Sequence, residues 1–507
     1  MLALLLTACV IDFTHYAEIR DEIATGDRDG DGHADAEEGG DDCDDLDPLI
    51  HPDAEESWAN GVTDNDCDGE REAVEVDFGT AALVGETPGA NAGRRLGVVG
   101  DLSGDGLDEL LVGAWTDSAV TDQGGAVYLV MGATEGALAQ HPAVRPSGPG
   151  WYLGSVMDGG PDLDGDGAPE IVVGALGYEE YAGVAWLISG AELAGGSLTM
   201  PEDAVGSVAG PGPGSVAGSM ARFLGDVTGD GEEDLAISAQ IVAAGGYTEA
   251  GLVGLWTAGD IGDDRLVDAP ITVYGTYSGA YLGGTIMNAG DQDGDGLQDY
   301  LITADKGLLA SILPGGVAAP DLEADALFRL TAQSAVAESA EVRMIGDVDG
   351  DGTLDLAAVP LSREGELLAP RIQIYTALTG TPTRTTAESS AVIEVGEGSF
   401  VFDVTDAGDL DGDGRAETLV PAQGFAPLST SAVALHFGDS LNFNAVVDFM
   451  DSPLVAISVR PVAAFGYRAL VTRDLDGNGA GEIVLGGYAD DEGGEDAGAV
   501  AILPLPQ

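Results

Sequence analysis

The chain has 507 residues, with 89 acidic and 18 basic side chains and a formal charge of −71. That charge excludes nucleic acid and anionic membrane surfaces as partners and favours cations. The 78 glycines follow no Gly-X-Y period, which excludes collagen and implies many tight turns, while an apolar content of 44% is enough for a sizeable core.

The first element in chain order is a short apolar run, Leu2 to Ala8, too short to span a bilayer, and no later segment is long and apolar enough. The run ends Leu6-Thr7-Ala8-Cys9, which resembles a bacterial lipobox without a basic region ahead of it. The resemblance implies a signal remnant at 1–8, lipidation of Cys9 and a tether over 9–26. The protein would then be exported and lipid-anchored at the bacterial outer membrane or cell surface, or alternatively secreted. Cys43 and Cys67 remain as a pair, and two cysteines in an exported chain favour one disulfide.

Residues 27–38 read DRDGDGHADAEE. The pattern fits a twelve-residue calcium loop, with ligands from Asp27, Asp29, Asp31, the carbonyl of His33, Asp35 and Glu38, and Gly32 at the sharp turn. No helix pattern follows, so the loop is more similar to those of thrombospondin type 3 repeats than to an EF-hand pair. Residues 41–69 run from DDCDD through a proline-containing middle to DNDCDG. This stretch resembles the MopE-type metal-binding motif of bacterial surface lipoproteins. The resemblance implies a Cys43–Cys67 disulfide with calcium on the flanking aspartates. Copper is associated with that family, but His51 is the one histidine inside the motif. Residues 27–72 thus read as an acidic metal-binding segment.

A single pattern then recurs seven times. Its copies are GDLSGDGLDELLVGA from Gly100, PDLDGDGAPEIVVGA from Pro161, GDVTGDGEEDLAISA from Gly225, GDQDGDGLQDYLITA from Gly290, GDVDGDGTLDLAAVP from Gly346, GDLDGDGRAETLVPA from Gly408 and RDLDGNGAGEIVLGG from Arg473. The first aspartates are spaced 61, 64, 65, 56, 62 and 65 residues apart. Small-residue turns such as RRLG, WYLGS, AYLGG and AAFGY precede the loops, and short apolar runs follow them. Short strands between glycine-rich turns at this period predict an all-β, seven-bladed propeller of four-stranded blades over 73–507. The repeats resemble the FG-GAP repeats of integrin α-subunits. The last repeat ends at AGAVAILPLPQ without an outer strand, so the segment at 72–85 is expected to supply it and close the ring.

Within each loop, positions 1, 3 and 5 carry oxygen side chains, position 6 is glycine, position 7 offers its carbonyl and position 9 returns a carboxylate, a set of hard ligands suited to Ca²⁺. The first loop uses Asp101, Ser103, Asp105, Leu107 and Glu109; the second Asp162, Asp164, Asp166, Ala168 and Glu170. The third uses Asp226, Thr228, Asp230, Glu232 and Asp234; the fourth Asp291, Asp293, Asp295, Leu297 and Asp299. The fifth uses Asp347, Asp349, Asp351, Thr353 and Asp355; the sixth Asp409, Asp411, Asp413, Arg415 and Glu417; the seventh Asp474, Asp476, Asn478, Ala480 and Glu482. The second, fourth, fifth and sixth sites carry −4 and the others −3, so the latter are expected to bind more weakly. About seven to nine Ca²⁺ per chain are expected, stiffening the loops rather than doing chemistry.

No HExxH, GxSxG, Walker A or dinucleotide motif is present. Trp115, Trp151, Trp186 and Trp256 fit either blade packing or a ligand face. The expectation is a monomeric, calcium-binding, non-enzymatic surface protein whose variable loops at 115–125 and 178–183 bind a protein or glycan ligand. A propeller-based hydrolase or lyase and a structural surface-layer protein are the alternatives.

Overall fold

The computed structural model describes residues 28, 30, 32–34, 40–42, 51–52, 67 and 74–76. It also describes residues 82–504 apart from 133–135, 245, 306–307, 333–338, 362–370, 379–382, 396–399, 402, 411, 426–429, 437, 439–440, 442–445, 449–453, 459–464, 476, 480 and 491–494. The expectations for the signal remnant, Cys9, the tether, Asp27, Asp29, Asp31, Asp35, Glu38, Cys43, Asp411, Asp476 and Ala480 lie outside the described residues. Two compact units are formed, Met1–Val74 with Pro506–Gln507, and Glu75–Leu505.

The larger unit is a propeller of seven sheets. Blade 1 runs from an inner strand, Arg95–Val99, through Glu109–Ala114 and Ala126–Val130 to Ala143–Pro146. Blade 2 repeats this with Leu153–Gly159, Ile171–Ala175, Val184–Ile188 and Gly206–Ala209, and blade 3 with Ala217–Phe223, Asp234–Ala239, Leu252–Thr257 and Ile271–Tyr274. The inner strands of blades 4 to 7 are Ile286–Gly290, Ser339–Ile345, Thr405–Gly408 and Phe465–Thr472. Neighbouring strands within a blade's meander are antiparallel.

The second strands read as unbroken apolar runs, such as ELLVGA and IVVGA, and every residue in them is buried. Alternation is lost because a blade has a neighbour on both faces. One core cluster joins Leu111 and Val127 of blade 1 to Val173 and Trp186 of blade 2. Another joins Leu83, Val484 and Val500 of blade 7 to Val112 and Tyr128 of blade 1.

The ring closes as the sequence predicts. Ala82–Val84 pairs antiparallel with Ala499–Pro504 and completes blade 7 with a strand from the other end of the chain. The four-stranded blades expected from the repeat are extended at their outer edges. Six blades carry a further edge strand, and only blade 3 has four strands among the described residues. In blades 1, 2, 4, 5 and 7 this extra strand runs parallel to the outer strand. It is lent by the next blade, from the connection between that blade's third and outer strands: Leu198–Met200 of blade 2 serves blade 1, for example. Val74–Val76 follows the same logic, since it precedes the outer strand of blade 7 and lies on the outer strand of blade 6. An outer strand would otherwise present an unpaired edge.

Adjacent blades also meet through backbone. The glycine just before a third strand bridges the start of the next inner strand or the turn ahead of it: Gly125 with Leu153, Gly183 with Ala217, Gly251 with Leu282, and Gly498 with Ala92. Gly183 has φ 76°, and a Cβ there would lie 2.2 Å from the Ala217 carbonyl oxygen. This close approach is why the small-residue turns and the glycines recur together.

In the smaller unit, the His33 and His51 rings stack at 5.0 Å, and His33 Nδ1 lies 3.3 Å from Asp41 Oδ1. The amides of Asp41 and Asp42 both donate to the Ala34 carbonyl at 3.0 Å. Gly30 and Gly32 have φ 88° and 106°, the left-handed pattern that Gly104 and Gly106 show in blade 1.

Candidate metal centres and the opposite face

Each acidic loop joins an inner strand to the second strand of its blade. Position 1 organises the turn. In the second loop, Gly165 donates to Asp162 Oδ1 at 2.7 Å and Gly167 to Oδ2 at 2.9 Å. Asp101, Asp226, Asp291, Asp347, Asp409 and Asp474 receive the same two amides. Position 5 caps the amide of position 7, as Asp105 does for Leu107 at 3.0 Å.

Position 9 opens the second strand, or in blade 2 immediately precedes it, and is buried in all seven blades. One of its oxygens accepts the amide of position 2: Leu102 to Glu109 at 2.6 Å, Val227 to Asp234 at 2.8 Å, Gln292 to Asp299 at 2.7 Å, Val348 to Asp355 at 2.9 Å and Leu475 to Glu482 at 2.7 Å. Leu163 and Leu410 do the same to Glu170 and Glu417. Position 2 is a residue that sequence reasoning passed over. Its recurrent Leu or Val pins the loop to the core, with Leu102, Val227, Val348 and Leu475 buried.

The other oxygen of position 9 decides whether the loops are only turns. Glu170 Oε1 and Asp355 Oδ1 are buried without a hydrogen-bond partner. A buried oxygen left unpaired is costly, and a cation beside it removes the cost. Ligand oxygens of Asp162, Asp164, Asp166 and Glu170 lie within 4.8 Å of one another, as do those of Asp101, Asp105 and Glu109, of Asp291, Asp293 and Asp295, and of Asp347, Asp349 and Asp351. The donors therefore suit a hard divalent cation. Among the described residues, no such group forms at the third, sixth or seventh loop. In the third, Asp230 Oδ2 takes the Thr257 hydroxyl at 2.6 Å and Asp234 Oδ1 that of Thr228 at 3.3 Å.

The electrostatics match this geometry. Burial, reinforced by the other loop aspartates, raises the carboxyl pKa of Glu170 above the usual range. Burial likewise raises Glu109 and Asp234, pushes Asp299 to about 6 and drives Asp355, facing Asp349, Asp351 and Asp347, to about 8. Crowded buried carboxylates of this kind bind either protons or a cation.

Residues 42–72 match the Cu-binding MopE family model, described as a "putative metal-binding motif". Human integrin α-E is 37% identical over 111 residues, 20% of this chain and 9% of that subunit. Integrin α-4 of Xenopus laevis is 30% identical over 142 residues, 27% of this chain and 13% of that subunit. The propeller is similar to the FG-GAP region of integrin α-subunits. The chain thus spans about a tenth of the length of the curated relatives it matches. A crystal structure of BBS1N in complex with ARL6DN aligns over 85% of this chain and 98% of that one, at 11% identity and a TM-score of 0.45.

The meander puts the strand 1–2 loops of the integrin-like propeller on one face and the strand 2–3 hairpins on the other. The variable loops at 115–125 and 178–183 are such hairpins and lie opposite the acidic loops. They meet at Tyr152, whose ring is 6.0 Å from Trp115 and 6.2 Å from Tyr181. Tyr181 is 51% exposed, and Tyr152 donates to Gln123 Oε1 at 2.9 Å. On the other side of Trp115, Arg94 sits over the rings of Trp115, Tyr467 and Tyr488. Trp186 and Trp256 are buried packing residues, and Trp151 packs on Trp186 at 5.7 Å.

Proposed function

We propose that this protein is a calcium-binding surface protein whose integrin-like propeller acts as a non-enzymatic binding or adhesion module. The observation that carries the calcium reading is the buried, unpartnered Glu170 Oε1 beside three converging aspartates. Calcium at the strand 1–2 loops would stiffen the ring. The ligand, a protein or glycan, would be taken by the opposite face, where Trp115, Tyr152 and Tyr181 form an aromatic arc across two blades. The lipid on Cys9, the outer-membrane or cell-surface location and the monomeric state belong to the same reading. So does the Cys43–Cys67 bridge, which the half-cystine state of Cys67 supports.

The test has two arms. Metal analysis of the purified protein should return about seven to nine calcium ions per chain, and a chelator should lower its melting temperature sharply. A glycan and extracellular-protein array should give hits lost in Tyr181→Ala at unchanged melting temperature. Absent calcium, or hits that survive Tyr181→Ala and Trp115→Ala together, would overturn the respective arm.

A further inference from the structure

The inner strands enclose a central channel with a cavity of about 370 Å³. In a chain of charge −71, four of the 18 basic residues line it: Arg95, Arg222, Arg343 and Arg468. Three of the four are matched. Arg222 Nη1 lies 3.1 Å from Asp158 Oδ1. Arg343 Nε and Arg468 Nη1 share Asp403 Oδ1 at 3.2 and 3.0 Å, and both also reach Glu341. Arg95 is different. Its Nε donates to the Ser155 carbonyl at 3.0 Å, while its Nη1 is buried with no hydrogen-bond partner. Among the described residues no carboxylate lies within ion-pair distance of it.

Asp406 also lines the channel, where it accepts the Gly408 amide at 2.9 Å, so of the four guanidiniums Arg95 is the one without a carboxylate partner among the described residues. Burial, with Arg468 next in effect, pushes Arg95 down to about 9. Arginine keeps its proton near neutrality, so an anion in the channel would accept from Arg95 Nη1 a charged hydrogen bond that no protein group takes. Beyond these charged groups, Thr285 and Thr405, the wall is largely apolar. Met157, Met220, Met287 and Met344, half of the eight methionines in the chain, line the same cavity. Methionine adapts its shape to an aliphatic guest.

We infer that the central channel is a binding site for a small carboxylate with an aliphatic stem, its carboxylate on Arg95 and its stem against the methionines. The site is separate from the acidic loops and from the aromatic arc. The carboxylate could be a free aliphatic acid or the acidic side chain of a partner peptide.

The test is calorimetric titration of the calcium-loaded full chain with sodium hexanoate at fixed ionic strength. Hexanamide, with the same stem and no charge, sodium chloride and an uncharged-stem peptide bearing a single glutamate serve as comparisons. Saturable binding of hexanoate at one per chain is expected, with chloride and hexanamide at least about tenfold weaker, the scale of one charged hydrogen bond. Tighter binding by the glutamate peptide would identify the partner source, and tighter binding by hexanoate the free acid. Arg95→Met should cost hexanoate a similar factor, and Met220→Trp, which fills the cavity and leaves Arg95, should abolish binding. No saturable heat with the wild-type protein, chloride or hexanamide binding as tightly, or unchanged binding in a folded variant would overturn the assignment.

Discussion

Arg473 donates from Nη2 to Asp108 Oδ1 at 2.8 Å, joining residues 365 positions apart across the junction of the last and first blades. Beside it, the Asp108 amide donates to the Asp474 carbonyl at 3.0 Å, so side chain and backbone close the ring together. The two contributions are unequal. The Arg473 side chain is 83% exposed although Asp108 is only 7%, and the Arg473 backbone amide still donates to Asp108 Oδ2 at 3.2 Å without that side chain, so the solvent-screened pair contributes at most about 1 kcal/mol. Arg473→Ala should therefore shift a denaturant midpoint only slightly. Deleting residues 82–84 removes the outer strand of blade 7 and should produce unfolding or self-association by light scattering. A stable deletion monomer would show that the strand is dispensable.

The glycines between blades should resist substitution. Gly183→Ala forces a side chain into the left-handed region and against the Ala217 carbonyl. A cost of about 2 kcal/mol or more is expected. Gly195→Ala, where a Cβ meets open space, is the control and should be near neutral in the same urea titration.

Metal affinity should follow loop charge. Asp162→Asn should remove one calcium per chain in metal analysis and lower the melting temperature in calcium but not in chelator. The third loop, whose carboxylates are engaged by Thr257 and Thr228, should be the first to empty in a chelator titration followed by metal analysis. Thr257→Val frees Asp230 and should tighten that site.

Stability without metal should fall as pH rises. Asp355 titrates at about 8 and Asp299 at about 6 in the folded chain, against about 4 when unfolded. Between these values the native state holds protons that the unfolded state has lost, so its stability declines from about pH 4 to about pH 8 and then levels off. Calcium must displace those protons, so its affinity should climb over the same window. Urea midpoints in chelator, and calcium titrations, across this range check both slopes. A metal-free midpoint that rises toward pH 8 would contradict the buried state of Asp355.

The seven loops, their spacing and the apolar runs after them were legible in the sequence, because turn chemistry and strand patterning are local. So was the closing of the ring by the segment at 72–85, within which Ala82–Val84 forms the strand. By itself the sequence determined the repeat, the acidic composition of its loops and the need for a closed ring. Tertiary structure alone decided the lent fifth strands, because Leu198–Met200 or Val74–Val76 pair with a blade other than the one their position suggests. It also decided that Arg95 faces its neighbours' channel without a carboxylate, and that Trp115, Tyr152 and Tyr181 share one face away from the acidic loops. Contacts of that kind depend on how seven blades twist around one axis, and no window of local sequence carries that information.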